Sequence, residues 1–376
     1  MTDYIYMNNA ATSWPKPRCV ADAVSKALTE APGASNRGGI EDYDVFGEVR
    51  KKMAGLLGVA AYDHIALGSN ATWALNAALF GYPFNNGDRV LATKSEHNSV
   101  LRPLYELERQ GIVKVTYLDA DETGRIAPDK WCEALKSVKP GLAVFTHASN
   151  VTGAVNDAKA LTEAAKAAGA DVLIDVSQTC GWEALFGDDW NADMIAFTGH
   201  KYLLGPQGTG GLYVRPGMTL KTHFIGGTGS HSDMETMPFE MPTRLEAGTG
   251  NEPSFHGLLA ALEWAEENPV DHAKLNGALR TLKAGLSGAG ALVVSPDGAC
   301  TPVVSFNIPG KSPAEAGYIL RESYDIICRT GLHCAPKLFD CLGRTGGTVR
   351  FSLSRFTTQD EIDEAIGAVR DITDAV

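Results

Sequence analysis

Between Ile65 and Val214 short apolar runs alternate with helical stretches, and this alternation limits the fold more than any other feature of the 376-residue chain. It predicts strands at Ile65–Gly68, Arg89–Thr93, Val113–Leu118, Leu142–Thr146, Val172–Asp175, Met194–Thr198 and Gly211–Val214. Ala-rich or amphipathic segments such as Ala158–Ala168 lie between them, and each can cover one sheet face. The expectation is an α/β fold with a seven-stranded, mainly parallel, doubly wound sheet. In such sheets ligands bind beyond the carboxyl ends of the strands. Those positions carry His97, Asn150, Asp175 with Gln178, and His200 with Lys201, an unusually polar and ionisable set.

Asn268-Pro269 closes a helical stretch at Gly257–Glu267, and a second α/β module follows. Its expected strands are Leu292–Ser295, Val303–Ile308, Ile326–Cys328 and Thr348–Leu353, with helices at Pro313–Ser323 and Gln359–Thr373. A single core rarely keeps growing beyond roughly 250–300 residues, so the division expected is a large domain at 15–267 and a small one at 268–376.

A formal net charge of −12 without a basic stripe speaks against nucleic acid as a partner. No run of 18 or more apolar residues and no signal-like N-terminus is present, so a soluble, cytoplasmic protein without membrane association is expected. The seven cysteines are scattered and form no CxxC pair, which leaves no metal site to predict. Most should be buried small hydrophobes, and one is free to act as a nucleophile.

The chemical signal is Asp193-Met-Ile-Ala-Phe-Thr-Gly-His-Lys201, followed by Gly205-Pro-Gln-Gly-Thr-Gly-Gly211. A lysine at the end of a buried strand gives up its proton more readily than a surface lysine and so suits Schiff-base chemistry. Pyridoxal phosphate, the common partner of such a lysine, needs an acid beside its pyridine nitrogen, and Asp175 ends the run Val172-Leu-Ile-Asp175. Gly68-Ser-Asn-Ala-Thr72 leads from a strand into the helical Trp73–Leu79, where backbone N–H groups and the Thr72 hydroxyl can cradle a phosphate.

Thr198-Gly-His-Lys201 with its trailing glycines resembles the lysine signature of class V aminotransferases. Met7-Asn-Asn-Ala-Ala-Thr-Ser-Trp-Pro-Lys-Pro17 is similar to that family's N-terminal strand and turn. Ser95-Glu-His97, Ser149-Asn-Val-Thr-Gly153, Asp175-Val-Ser-Gln178, Leu245-Glu-Ala-Gly-Thr249 and Arg329-Thr-Gly-Leu-His-Cys-Ala335 extend the likeness over nearly the whole chain. The last motif and Arg350-Phe-Ser-Leu353 resemble the SUF-type cysteine desulfurases and the related selenocysteine lyases.

The resemblance implies fold type I of the pyridoxal-phosphate enzymes, a homodimer, and residues 1–14 packing near the active site. Lys201 would carry the cofactor and shuttle protons, Asp175 would pair with the pyridine nitrogen, Gln178 would contact the phenolic oxygen, and His97 would stack on the ring. Thr72, Thr198 and His200 would bind phosphate beside Ala71, with Thr249 reaching across a dimer interface. Asn150 and Arg350 would hold the substrate carboxylate, with Asn9 and Ala10 also lining the substrate, and Cys334 would attack its sulfur.

The implied reaction turns L-cysteine into L-alanine and a Cys334 persulfide, passed on to a sulfur-acceptor protein. Selenocysteine lyase, another lyase or epimerase of the family, and a noncatalytic sulfur-carrier scaffold with an idle Lys201 are the alternatives. The chain departs from the SUF-type pattern at Asn36-Arg37, Ala71, Trp73 and Leu332, and begins almost at the Asn-Asn-Ala-Ala motif.

Overall fold

The computed structural model describes residues 4–30 and 44–375, so Asn36-Arg37 lies outside the described residues. The large sheet runs, edge to edge, through Ile65–Gly68, Gly210–Val214, Met194–Thr198, Asp171–Asp175, Leu142–Thr146, Asp88–Thr93 and Val113–Leu118. All neighbours are parallel except Gly210–Val214, which is antiparallel to both of its neighbours. The physical reason is the link from Thr198 to Gly210: it contains no helix, and a parallel return needs a crossover of a dozen or more residues. That short return carries His200 and Lys201.

Alternate side chains of the strands serve opposite layers. Phe145, Ile174, Ile195 and Phe197 pack with Trp131 and Leu258 on one face, whereas Val144, Leu173 and Ala196 pack with Leu75 and Leu104 on the other. Both faces are covered, which is why the strands read as continuous apolar runs. The strands at 88–93 and 142–146 are neighbours whose following connections leave in opposite directions. The crevice beyond their carboxyl ends is therefore the switch point where such sheets bind ligands, and it receives His97 from one strand and Asn150 from the other.

The C-terminal module holds a four-stranded antiparallel sheet ordered Arg329–Gly331, Thr348–Ser352, Val303–Asn307, Leu292–Val293, and a core formed with helices at 272–288, 313–324 and 359–374. The single strand expected at Ile326–Cys328 is instead two short ones. Ile326–Ile327 pairs in parallel with Ile5–Tyr6, and the chain then shifts at Cys328 so that Arg329–Gly331 pairs with Thr348–Arg350. Two different partners on the two sides of Cys328 divide the run. As a result the N-terminal segment joins the C-terminal module's core through Ile5 and Met7, and Arg329 lies opposite Arg350.

Candidate active site

Lys201 follows a strand that is buried throughout. The carbonyl of His200 before it accepts four donors from the N-terminal turn: Ser13 N–H (3.0 Å), Ser13 Oγ (3.2 Å), Thr12 Oγ1 (3.2 Å) and Lys16 Nζ (3.4 Å). The peptide presenting the lysine is thus fixed from outside its own strand. Burial pulls the Lys201 ammonium down to about 8, Arg350 and Arg329 push the same way, and Asp175 and Cys334 oppose them. The free amine is then a sizeable fraction at physiological pH, as Schiff-base chemistry requires.

Asp175 is buried at the end of its strand and its Oδ1 accepts the Ser177 N–H at 2.9 Å. Gln178 sits three residues on, with Nε2 donating to the Ala10 carbonyl at 3.2 Å and Oε1 left without a partner among the described residues. The second N–H of that amide remains to donate to a phenolic oxygen. His97 caps the helix Asn98–Arg109 through Nδ1, which accepts the Ser99 N–H at 3.0 Å. Burial and the Lys201 charge push its pKa down to about 4, so the ring is neutral and suited to lie against an aromatic face. Ser99 Oγ also lies 2.8 Å from Nδ1 and 2.8 Å from Thr72 Oγ1, linking the His97 turn to the first turn of the helix Ala71–Gly81.

That helix is capped by Asn70, whose side chain accepts the Trp73 N–H. Its start lies beside Thr198 because Gly210 pairs with Thr198 on one side and with Gly68 on the other. A Cβ at Gly68 would collide with the Trp73 ring, so the aromatic residue at this departure from the family pattern packs against the glycine. Ala71 is buried and Thr72 exposed.

Cys334 and His333 both have left-handed backbones (φ 61° and 47°), a conformation costing non-glycine residues about 1–3 kcal/mol each. The surroundings hold this strained turn in place. Asn150 Nδ2 donates to the His333 carbonyl at 2.6 Å, and the Asn98 N–H donates to the Cys334 carbonyl at 2.7 Å. The turn thereby presents Cys334 Sγ to Arg329, whose Nη2 donates to it at 2.8 Å. Burial drives the His333 imidazole far below its ordinary range, with Arg350 and Arg329 adding to the effect. His333 therefore stays neutral, and the charged group at Cys334 Sγ is Arg329. Burial pushes Cys180 and Cys328 up to about 12.

Arg350 is fully buried, with Nη1 donating to the Asn150 carbonyl (2.7 Å), Nη2 to Asn8 Oδ1 (3.3 Å) and Nε unpaired among the described residues. Burial and the neighbouring Arg329 lower its pKa to about 10, which leaves it charged. Two guanidinium groups without a carboxylate partner among the described residues are suited to an incoming anion. Asn9 directs its amide into the framework, to Ser352 O (2.9 Å), Tyr6 O (3.3 Å) and Trp14 N–H (3.1 Å), and Ala10 N–H donates to Ser352 Oγ. Asn8, not singled out from sequence, is the member of this pair that reaches Arg350. Thr249 is exposed in the loop after Leu245.

The buried polar atoms lacking partners among the described residues include Thr198 Oγ1, His200 Nδ1, Ser177 Oγ, Gln178 Oε1 and Arg350 Nε, all at this end of the sheet. Such atoms are normally satisfied, so their clustering marks where a polar ligand belongs. A hydroxyl and an imidazole beside a helix N-terminus fit a phosphate, Asp175 fits a protonated ring nitrogen, and Arg350 fits a carboxylate. The donor set agrees with a phosphorylated pyridine and an amino acid.

The profile of the aminotransferase class-V family matches residues 5–365. A probable cysteine desulfurase of Methanothermobacter thermautotrophicus is 31% identical over 96% of this chain and 93% of its own length. A cysteine desulfurase of Bradyrhizobium diazoefficiens is 32% identical over 98% of this chain and 94% of its own. The apo structure of a cysteine desulfurase from Thermococcus onnurineus superposes with a TM-score of 0.90 at 27% identity, covering 100% of this chain and 96% of that one.

Proposed function

The chain belongs to the aminotransferase class-V family, and on that premise we propose that it is a pyridoxal-phosphate-dependent cysteine desulfurase that moves the sulfur of L-cysteine to Cys334 and leaves L-alanine. The observation that carries this reading is the hydrogen bond from Arg329 to Cys334 Sγ at 2.8 Å, in the same crevice as the desolvated Lys201. An amine for the cofactor and a cation-supported thiol for the sulfur are the two parts the reaction needs. The large sheet with one antiparallel strand, and the smaller C-terminal domain, agree with fold type I.

Lys201 would carry the cofactor aldehyde, and Asp175 would hold its pyridine nitrogen. Gln178 would serve the phenolic oxygen, His97 would face the ring, and Thr72, Thr198 and His200 would hold the phosphate beside Ala71. Bound there, pyridoxal phosphate would supply an electron sink for the substrate's Cα–H electrons. Lys201 Nζ is the base for the α-proton. Arg350 holds the substrate carboxylate, and Asn150 keeps the cysteine turn in place. The Cys334 thiolate attacks the substrate sulfur and the Cβ–S bond breaks with its electron pair going to Cβ; a proton taken up at Cβ and one returned to Cα give alanine, and Cys334 is left as the persulfide. The cysteine turn is open to solvent at Leu332, 41% exposed, which supports delivery of the sulfur to an acceptor protein.

The test is to supply L-cysteine with a reductant and measure alanine against sulfide, then to repeat the turnover without reductant and look for one added sulfur atom on the peptide containing Cys334. Alanine and sulfide in equal amounts support the reading; neither product contradicts it. Selenocysteine assayed alongside sets the substrate preference.

Two further outcomes are expected. Arg350→Lys keeps the charge but loses the planar fork, and should raise KM for cysteine by about 10- to 100-fold, the equivalent of one charged hydrogen bond. An unchanged KM would place the carboxylate elsewhere. The exposed Phe224, Ile225 and Phe239 lie in the segment that Gly248 N–H ties down at the Gly227 carbonyl, next to Thr249. Such apolar residues on a polar loop support a homodimer in which Thr249 reaches the neighbour's phosphate. Sedimentation should show a dimer, and Thr249→Ala should weaken cofactor binding roughly tenfold; a fully active monomer would overturn this.

A further inference from the structure

Arg350 stands in the middle of the strand Thr348–Ser352, opposite Arg329 on one side and Ser305 on the other. Its side chain is fully buried, yet its protein partners are the Asn150 carbonyl and Asn8 Oδ1, and Arg329 is bonded to Cys334 Sγ. Taking a cation out of water is costly, so a buried guanidinium ordinarily sits against a carboxylate. Among the described residues Asn8 stands where such a carboxylate would be, with its Oδ1 3.3 Å from Nη2. The orientation of that amide follows from the chemistry: a guanidinium has only donors, so the oxygen must face it.

Asn8 reaches this place in a fixed register. Its carbonyl accepts the Ala11 N–H at 3.0 Å and the Thr12 N–H at 3.4 Å. Its chain neighbours are bonded to Ser352, whose N–H donates to the Met7 carbonyl at 2.8 Å and whose carbonyl accepts the Asn9 N–H at 3.4 Å. Ser352 lies two residues beyond Arg350 and therefore on the same face of the strand. The N-terminal turn is thus laced to the strand that carries the guanidinium.

Asparagine and aspartate differ here by one charge at nearly constant shape. An aspartate would close an ion pair with Arg350 and leave less of its charge for an incoming anion. The amide accepts one N–H and leaves the charge uncompensated, and Arg329 across the register adds to the positive field.

We propose that Asn8 is a positioning residue for the substrate-carboxylate site: an uncharged acceptor that fixes the Arg350 fork while withholding a counter-charge, so that the cation is kept for the carboxylate of the amino acid. The withheld charge is a property of the protein alone, and the role toward substrate rests on the reading of Arg350 given above. Stability and recognition are then opposed at this residue, since the group that would best stabilise the ligand-free protein would compete with the substrate.

The experiment has two arms, both on the full chain. In the first, wild type, Asn8→Asp and Asn8→Ala are melted without cofactor or substrate in low-salt buffer at about pH 7. Asn8→Asp supplies the counter-charge and should melt about 2–5 °C higher than wild type, whereas Asn8→Ala loses a hydrogen bond and should melt lower. Asn8→Asp melting no higher than wild type overturns the withheld counter-charge.

In the second arm, protein loaded with pyridoxal phosphate is titrated with L-cysteine and with cysteamine, which has the amine and thiol but no carboxylate, and the visible band of the cofactor is followed. Both variants should bind cysteine about three- to tenfold more weakly and cysteamine within about twofold of wild type, with kcat at saturating cysteine little changed. A merely structural role would weaken both ligands together and would not make Asn8→Asp at once more stable and less discriminating. An unchanged preference for cysteine over cysteamine in Asn8→Asp overturns the positioning role. If Arg350→Lys leaves that preference unchanged as well, the carboxylate reading of Arg350 fails and takes the substrate role of Asn8 with it, and the first arm still decides the counter-charge.

Discussion

Cys334→Ala is expected to form alanine from cysteine at least about a thousandfold more slowly than the native protein while keeping its fold and its cofactor. The substitution removes one sulfur atom from a residue that is not fully buried, so packing changes little. Alanine tolerates the φ of 61° no worse than cysteine, and the bonds from Asn150 and Asn98 that hold the turn go to backbone carbonyls. Cysteine should still bind, because Arg350 is untouched. What disappears is the acceptor for the substrate sulfur. Selenocysteine should be spared more, since selenium leaves more easily and depends less on an attacking thiolate. Native protein after turnover should carry added sulfur at Cys334 and not at Cys328, whose thiol is held protonated by burial, nor at Cys341. Unchanged turnover in Cys334→Ala would sink the desulfurase reading and leave a lyase that releases its product without a persulfide.

Lys201→Ala should abolish any pyridoxal-phosphate linkage that borohydride can fix and lower turnover by at least about a thousandfold, because the same amine attaches the cofactor and moves the α-proton. A borohydride-fixed cofactor on this variant would place the attachment elsewhere. A second consequence concerns the cofactor-free protein. The folded pKa of Lys201, about 8, lies below the ordinary 10.5, so burying the ammonium costs stability in full below pH 8. That cost fades as pH rises toward 10.5. Lys201→Met should therefore melt higher than wild type at pH 7, with the gap closing at alkaline pH. A gap independent of pH would mean that the lysine is not desolvated.

Most strand positions in the large sheet are readable from the sequence because apolar runs buried on both faces have few other places to go. Val113–Leu118, Leu142–Thr146 and Met194–Thr198 lie where the runs place them, and the other strands differ by at most one residue at an end. Local patterning fails at Ile326–Cys328, since nothing in three residues tells that the chain changes partner at Cys328. The same shift brings Arg329 opposite Arg350, a juxtaposition of like charges that no local signal predicts.

The sequence alone determined which chemical groups stand at strand ends, because strand periodicity and the order of motifs are local properties. Lys201, Asp175, His97 and Asn150 stand beyond strand ends for that reason. Tertiary structure alone decided what each group touches and therefore its charge. Arg329 meets the Cys334 thiol while His333 is kept neutral, Asn8 rather than Asn9 reaches Arg350, and Glu96 is sealed against Thr93 and Thr146 with one oxygen unpaired among the described residues. These outcomes depend on desolvation and on contacts between segments as distant as Asn8 and Arg350. Desolvation and long-range fields are sums over the folded surroundings, and no stretch of sequence contains the surroundings of its own side chains.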